Sequence, residues 1–323
     1  MNRRRVLLRG ALGLALAAVV FFVVVPRIAS YGSVGSRLST VSTGWAVALA
    51  AGAVLDILVT ALPWRVLLPQ LRWTGALGFT QASTAVTAVV PGGAPLGMAI
   101  SFGLLRRLRV GAGEAGFAVG LAGLWSQVMI LLYPLVGAVL VLGSGRLSGA
   151  TLAIALASGG AAAAIALVAV AALRSAAVAR RLGERFARLR DERLLHLRGR
   201  WRALTVATLV NQLSGYLLLE LSIRAVGIPV HQLPPSETFL AWSIGRVIST
   251  LPLTPAGIGF VELGLIGTLV GFGGGHAHVV AAVLLYRGLI VVPTLVVGFA
   301  ALFALRRDRG YGSASATSSR GSS

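Results

Sequence analysis

The sequence predicts an all-α polytopic membrane protein, with about six spanning helices plus two re-entrant broken-helix hairpins arranged as an inverted repeat. Three observations carry this. Of 323 residues, 56% are hydrophobic and 12% charged, with a mean hydropathy of +0.86, and apolar stretches recur along the whole chain. Two of those stretches are cut by proline–glycine clusters that no continuous membrane helix would carry. All 29 basic residues are arginine, against 9 acids, and they gather between the apolar stretches. That placement reads as topology and anionic headgroups rather than nucleic acid, despite the net charge of +20.

Spanning a hydrocarbon core of roughly 30 Å takes about 20 residues of α-helix. Six segments qualify: 7–25, 44–62, 115–142, 149–173, 203–225 and 277–305. The first follows Arg3, Arg4 and Arg5 and has a cleaved signal peptide as its alternative, although its apolar run is long for one. Segments 76–105 and 238–272 differ, being interrupted by PGGAP at 91–95 and LPLTPAGIG at 251–259. Most of their pieces are too short to cross, so each reads as a hairpin that enters and leaves on one side. Two full crossings per broken segment give the same parity and stand as the rival.

The arginines test the arrangement. If both broken segments return to their side of entry, one face collects 23 of the 29 arginines, from the N-terminus, the 63–75 loop, Arg106/Arg107/Arg109, the 174–202 loop and the C-terminal tail. The opposite loops keep Arg27, Arg37 and Arg146, with Arg224 near that edge. The positive-inside rule then makes both termini cytoplasmic in a multi-pass protein of the cell (inner or plasma) membrane. One transmembrane domain fills 1–305, with halves at about 44–142 and 203–305, and a low-complexity tail, read as disordered, follows from 306. The halves have opposite topology. Their breaks align, Pro91 to Met98 against Pro255 to Glu262, with Gly93 matching Gly257; paired broken helices point to a transporter-type site near the midplane. Between the halves, 180–202 places Leu182, Phe186 and Leu189 on one face among arginines, as an interfacial helix or a solvated connector.

Charges at membrane depth cost roughly 2.5–3.5 kcal/mol each, so each needs a reason. Five stand out: Asp56, Glu220, Arg246, Glu262 and Arg287. Arg246 falls near the carboxyl end of one half-helix and Glu262 in the first turns of the next, as helix-end charges favour. An Arg246–Glu262 or Arg287–Glu262 pair holding the hairpin is a sufficient structural account. The functional account uses the same residues. Backbone donors freed around Pro91, Gly92 and Gly93, and around Pro252, Pro255, Gly257 and Gly259, make with Arg246 and Arg287 a receptor for a phosphate headgroup. Glu262 and Asp56 are then acids for sensing an amine or coupling a proton, with Asp56 alternatively pairing with an arginine. Gln81, Ser83, Thr84 and Thr87 line the same cavity or merely pack helices. Glu220 is close to the outer end of its segment and ranks lower.

The run from Leu251 to Glu262, followed by Ala281 to Arg287 and then Pro293 and Gly298, resembles the flippase-like membrane family that includes the transmembrane region of lysylphosphatidylglycerol synthase. Pro91-Gly92-Gly93, Leu105-Arg106-Arg107 and Glu114-Ala115 are similar to its first motif. The resemblance covers about residues 7–305 and implies movement of a lipid with a polar or charged headgroup between leaflets. Anionic or aminoacylated phospholipids and polyprenyl-phosphate lipids are the classes it suggests as partners. One departure is that Met98 stands at the repeat position of Glu262. The bifunctional synthases add a soluble aminoacyl-transfer domain, for which the residues after 305 leave no room, so a separate synthase or glycosyltransferase is the expected partner.

No phosphate loop, HExxH, GxSxG or acidic metal cluster occurs, and His276 with His278 makes a poor metal site. With no cysteine there is no thiolate chemistry. The expectation is a protein without cofactor and without catalysis, moving or binding a phosphate-containing, possibly aminoacylated, lipid. A polyprenyl-phosphate membrane enzyme with Glu262 as general base and an accessory subunit of glycolipid assembly are the rival readings.

Overall fold

The computed structural model describes Ser36 and residues 41–89, 93–174, 199–251, 254 and 257–317. The 7–25 segment, the basic 180–198 stretch, Pro91, Gly92, Pro252 and Pro255 lie outside the described residues. The described chain is all helical: α1 Thr43–Val59, α2 Leu62–Leu67, α3 Trp73–Val89, α4 Gly93–Arg107, α5 Ala112–Val141, α6 Gly149–Arg174, α7 Trp201–Ala225, α8 Pro235–Thr250, α9 Phe260–Gly271 and α10 His276–Thr317. Five stretches are long and apolar enough to cross a membrane: Thr43–Leu67, Ala112–Ser144, Gly149–Ala171, Trp201–Ala225 and His276–Ala304. They coincide with the five expected spans among the described residues. The backbone of α10 continues to Thr317, past the expected boundary at 306, since no proline or glycine interrupts 299–309.

Both broken segments fold as antiparallel helical hairpins. In the first, the Ser83 hydroxyl lies 2.8 Å from that of Ser101 and donates to the Gly97 carbonyl at 3.3 Å. In the second, Gly245 packs under Leu265 and Gly264 under Ile248. Each hairpin closes at its mouth. The Gln70 amide donates to Glu114 at 2.5 Å, joining the entry to α3 with the start of α5. The Gln232 amide donates to the Gly273 carbonyl at 3.0 Å, joining the entry to α8 with the exit from α9.

Helix α5 serves as a ruler between them, about 45 Å long at 1.5 Å per residue. Its first turn carries Glu114, at the first mouth. Beyond its other end, Arg146 reaches Glu237 in the first turn of α8 and the Phe272 carbonyl, at the second mouth. The hairpins therefore enter from opposite ends of the bundle. Along α5, Gly123 faces Met98 of the first hairpin and Gly137 faces Leu240 of the second. Continued, both registers bring Gly93 and Thr250 to the level of Gln127, halfway along α5.

Each hairpin also packs antiparallel to the last span of the other half. Gly298 of α10 abuts the Gln81 carbonyl of α3, and Gly137 of α5 abuts the Leu240 backbone of α8. Two apolar cores form, one mostly of the first half around Phe79, Leu105 and Ala115 but including Leu204, the other mostly of the second around Trp242, Leu265 and Val280 but including Tyr133 and Val141. Two boundaries of matching elements share one spacing: α5 and α10 start at Ala112 and His276, and α4 and α9 end at Arg107 and Gly271, both 164 residues apart, whereas α3 and α8 start at Trp73 and Pro235, 162 apart.

Candidate functional site

The tip of the second hairpin is built around two left-handed glycines, Gly257 at φ +66° and Gly259 at φ +92°. A side chain on Gly257 would also strike Val261, so only glycine fits. The Gly257 N–H donates to the Thr254 carbonyl at 3.1 Å, and the Thr254 hydroxyl donates to the Ile258 carbonyl at 2.8 Å. Glu262, only 2% exposed, then closes the start of α9. One carboxylate oxygen accepts the Gly259 N–H at 2.6 Å; the other accepts Arg287 Nε of α10, also at 2.6 Å. Of the two partners the sequence offers Glu262, the structure uses Arg287, and the acid caps its own helix in the manner of a capping box.

Arg246 is thereby left to a different neighbourhood. It takes no part in the ion pairs among the described residues, and its NH2 makes a long 3.5 Å hydrogen bond to the neutral Gln212 Oε1 of α7. Its buried Nε has no hydrogen-bond partner. Asp56 of α1 accepts the Ser214 hydroxyl of α7 at 2.6 Å and lies in the electrostatic reach of Arg246, as do Tyr133 and Tyr286. Two more buried polar atoms in this region are unsatisfied. The Tyr133 hydroxyl has no partner, and Trp242 Nε1 lies near the Tyr286 hydroxyl without making a hydrogen bond of normal geometry. Trp242 is one helical turn before Arg246, is 1% exposed, and stacks obliquely on Tyr133 with ring centroids 5.3 Å apart. Buried polar groups ordinarily find partners. Three without one around one arginine, each able to donate, make this an acceptor-seeking site at mid-bundle depth.

A separate cavity of about 270 Å³ lies under the first hairpin. Thr84 and Thr87 line it as expected, with Ser83, Ser101, Ser126, Thr208 and Asn211, and no charged residue lines it among the described residues. Met98 and Gly123 form part of its wall. Gln81 does not reach it; its amide donates to Thr60 Oγ1 at 3.2 Å. Arg246 and Glu262 do not line it either, so the expected single cavity is two neighbouring sites. Gln212 is the partition: its amide donates to Ser126 Oγ of the cavity at 3.1 Å while its oxygen faces Arg246.

Glu220 belongs to neither site. It pairs with Arg224 one turn on, at 2.5 Å, and accepts the Thr238 hydroxyl at 2.5 Å. Arg224 also donates to the Ile228 and Leu233 carbonyls, so this group staples α7 to the loop before α8. Sequence reasoning missed Glu237, buried at the mouth of the second hairpin and held by Arg146 at 3.3 Å. It missed Tyr133, Trp242, Tyr286 and Gln212 as well, because aromatic and amide side chains in apolar helices carry no periodic signal. A one-turn spacing from Trp242 to Arg246 was the available hint. Among the described residues no group of acids and histidines could hold a metal ion.

Five long apolar helices around two hairpins, with charges buried at mid-depth, define a multi-pass membrane protein with a polar interior. The chain belongs to the family of the lysylphosphatidylglycerol synthase TM region, whose profile matches residues 10–298, and so falls among membrane proteins of lipid-related processes. No individual curated protein matches the chain significantly.

Proposed function

We propose that this protein translocates a phosphate-containing lipid between leaflets of the plasma membrane, its two hairpins being re-entrant halves of an inverted repeat with both termini in the cytoplasm. The observation that carries the reading is the approach of the two hairpins from opposite ends of α5 to one level, beside Arg246. Helices α3, α4, α8 and α9 have 17, 15, 16 and 12 residues, and at 1.5 Å per residue all fall short of the roughly 30 Å hydrocarbon core. Broken helices that meet at the midplane are how membrane transporters expose polar groups to cargo without exposing them to lipid.

The 164-residue spacing shared by the ends of α4 and α9 and the starts of α5 and α10, and the exchanged packing of each hairpin on the other half's last span, support the inverted repeat. Arg246 is the phosphate ligand in this reading, because among the described residues it is the cation in this group without an ion-pair partner, and its Nε still has a hydrogen bond to give. Asp56 balances that charge while the site is empty. Glu262 and Arg287 hold the tip in shape. Phosphate contact at Arg246 involves no bond making in the lipid, and the protein acts as a carrier rather than a catalyst.

The test is transbilayer movement of a fluorescent phosphatidylglycerol in vesicles containing the purified protein, read by reduction of the outer-leaflet probe. Wild type is expected to expose the inner-leaflet fraction and Arg246→Gln to slow that exposure at least about tenfold, the loss of one charge-assisted contact. Equal rates for the two proteins would remove Arg246 from the pathway. No movement with correctly inserted wild type would remove the transport reading.

A further inference from the structure

The two halves differ where the repeat is otherwise regular. At the 164-residue spacing that relates the ends of α4 and α9 and the starts of α5 and α10, Glu262 corresponds to Met98 and Arg287 to Gly123. In the second half the pair meets as a salt bridge. In the first half Met98 and Gly123 also face each other, with Met98 Sδ 3.7 Å from where a Gly123 side chain would begin. There, no charge fills the space and a cavity opens, walled by both residues. The first half has exchanged an ion pair for a binding volume.

The lining specifies what that volume accepts. Thr84 donates its hydroxyl proton to the Thr80 carbonyl at 2.9 Å, and Thr87 donates to the Ser83 carbonyl at 2.8 Å. Ser126 already accepts from Gln212. The hydroxyls of Thr84 and Thr87 thus present lone pairs to the cavity, which suits a ligand that donates hydrogen bonds. An ammonium donates too, but among the described residues no carboxylate lines the cavity to balance it, and Arg246 stands one amide away. Neutral hydroxyl groups remain. A volume of about 270 Å³ is below the roughly 300 Å³ at which pockets for drug-sized ligands begin, enough for a glycerol or one hexose and not for a lipid. Gln212 bonds both Ser126 of the cavity wall and Arg246, so a phosphate at Arg246 and a polyol in the cavity would flank the same amide.

We infer that the cavity under the first hairpin is a headgroup-specificity site for an uncharged polyol, such as glycerol or a single sugar, attached to the phosphate bound at Arg246. Its placement on a lipid rests on the transport reading above; the polyol chemistry does not. An aminoacylated headgroup is excluded from it by charge.

Native mass spectrometry of the purified full chain, offered equal phosphatidylglycerol, phosphatidic acid and lysylphosphatidylglycerol, tests this. Phosphatidylglycerol is expected to be retained over each of the others by about fivefold or more, as two neutral hydrogen bonds allow. Thr84→Val/Thr87→Val should bring that ratio close to one, Thr84→Ser/Thr87→Ser should restore it, and Gly123→Leu, which fills the cavity from a different helix, should abolish it again. Equal retention of the three lipids by wild type, or a preference that survives both the valine pair and Gly123→Leu, overturns the inference. Competition with free glycerol 1-phosphate separates the sources: displacement at equal concentration moves the polyol from lipid to water and overturns its lipid placement, whereas no displacement supports it. Retention with the expected preference but without movement in vesicles would sink the transport reading and leave the polyol site standing.

Discussion

Glu262 and Arg246 sit at similar depth and answer to opposite demands. The carboxylate of Glu262 has a partner on each oxygen, one of them the Arg287 guanidinium, and is almost wholly buried. Removing its charge takes from Arg287 a carboxylate held at 2.6 Å in low dielectric, and breaking a buried pair from one side costs about 3–5 kcal/mol. Glu262→Gln is therefore expected to lower the thermal midpoint of the detergent-purified protein sharply, measured by fluorescence-detected unfolding. Arg246 spends its charge on a long bond to an amide and leaves Nε unpaired. Arg246→Gln relieves a desolvated cation but takes from Asp56 its nearby countercharge, so it is expected to lower the midpoint by less than Glu262→Gln does, while slowing lipid movement. If the two substitutions exchange signatures, Glu262 is the functional charge and Arg246 the structural one.

Between helices, the close approaches are made by glycine. Any side chain on Gly298 would run into the Gln81 carbonyl and Ala85, and one on Gly137 would come within 2.9 Å of the Leu240 backbone. Neither neighbour is a flexible side-chain end that can step aside, so the helices must separate. Overpacking of this kind costs about 1–3 kcal/mol, and Gly298→Ala and Gly137→Ala are each expected to destabilise by that amount. Gly288, in the same helix as Gly298, has nothing within 4 Å of its would-be side chain. Gly288→Ala is expected to be neutral or mildly stabilising, as alanine is the better helix former. Comparable losses at Gly288 and Gly298 in a thermal shift assay would refute the packing argument.

At the scale of the whole molecule, what could be read in advance follows from what each signal depends on. Spans at 44–62, 115–142, 149–173, 203–225 and 277–305 were legible because hydrocarbon thickness imposes a length on any apolar helix. The breaks were legible because proline and glycine cannot continue one. The partner of Glu262 was not, since Arg246 and Arg287 are both plausible from a linear chain and only the crossing of α9 with α10 chooses between them. Nor was the separation of the Thr84/Thr87 cavity from Arg246, which depends on one amide, Gln212, reaching both ways.

Whether each hairpin turns back at mid-depth or crosses fully is the question on which the proposed mechanism stands. The hydrogen bonds at the two mouths allow either, because both put entry and exit together. Chain length favours the turning back that is proposed, and so does the shared level of the two tips on α5. The chain has no cysteine, so every introduced cysteine is its sole thiol. A membrane-impermeant maleimide applied to intact cells is expected to label His231→Cys and His276→Cys, at the second mouth, which the proposed orientation puts outside. Arg72→Cys and Arg107→Cys, at the other, are expected to react only after permeabilisation. Leu251→Cys lies at the tip of the second hairpin and separates the alternatives. Held near the midplane, it should stay slow toward the reagent from both faces; delivered through a full crossing, it would react as fast as Arg72→Cys once the cytoplasmic face is opened. The second result would leave α8 and α9 as two complete crossings, and with them no reason for a lipid headgroup to meet Arg246 halfway across.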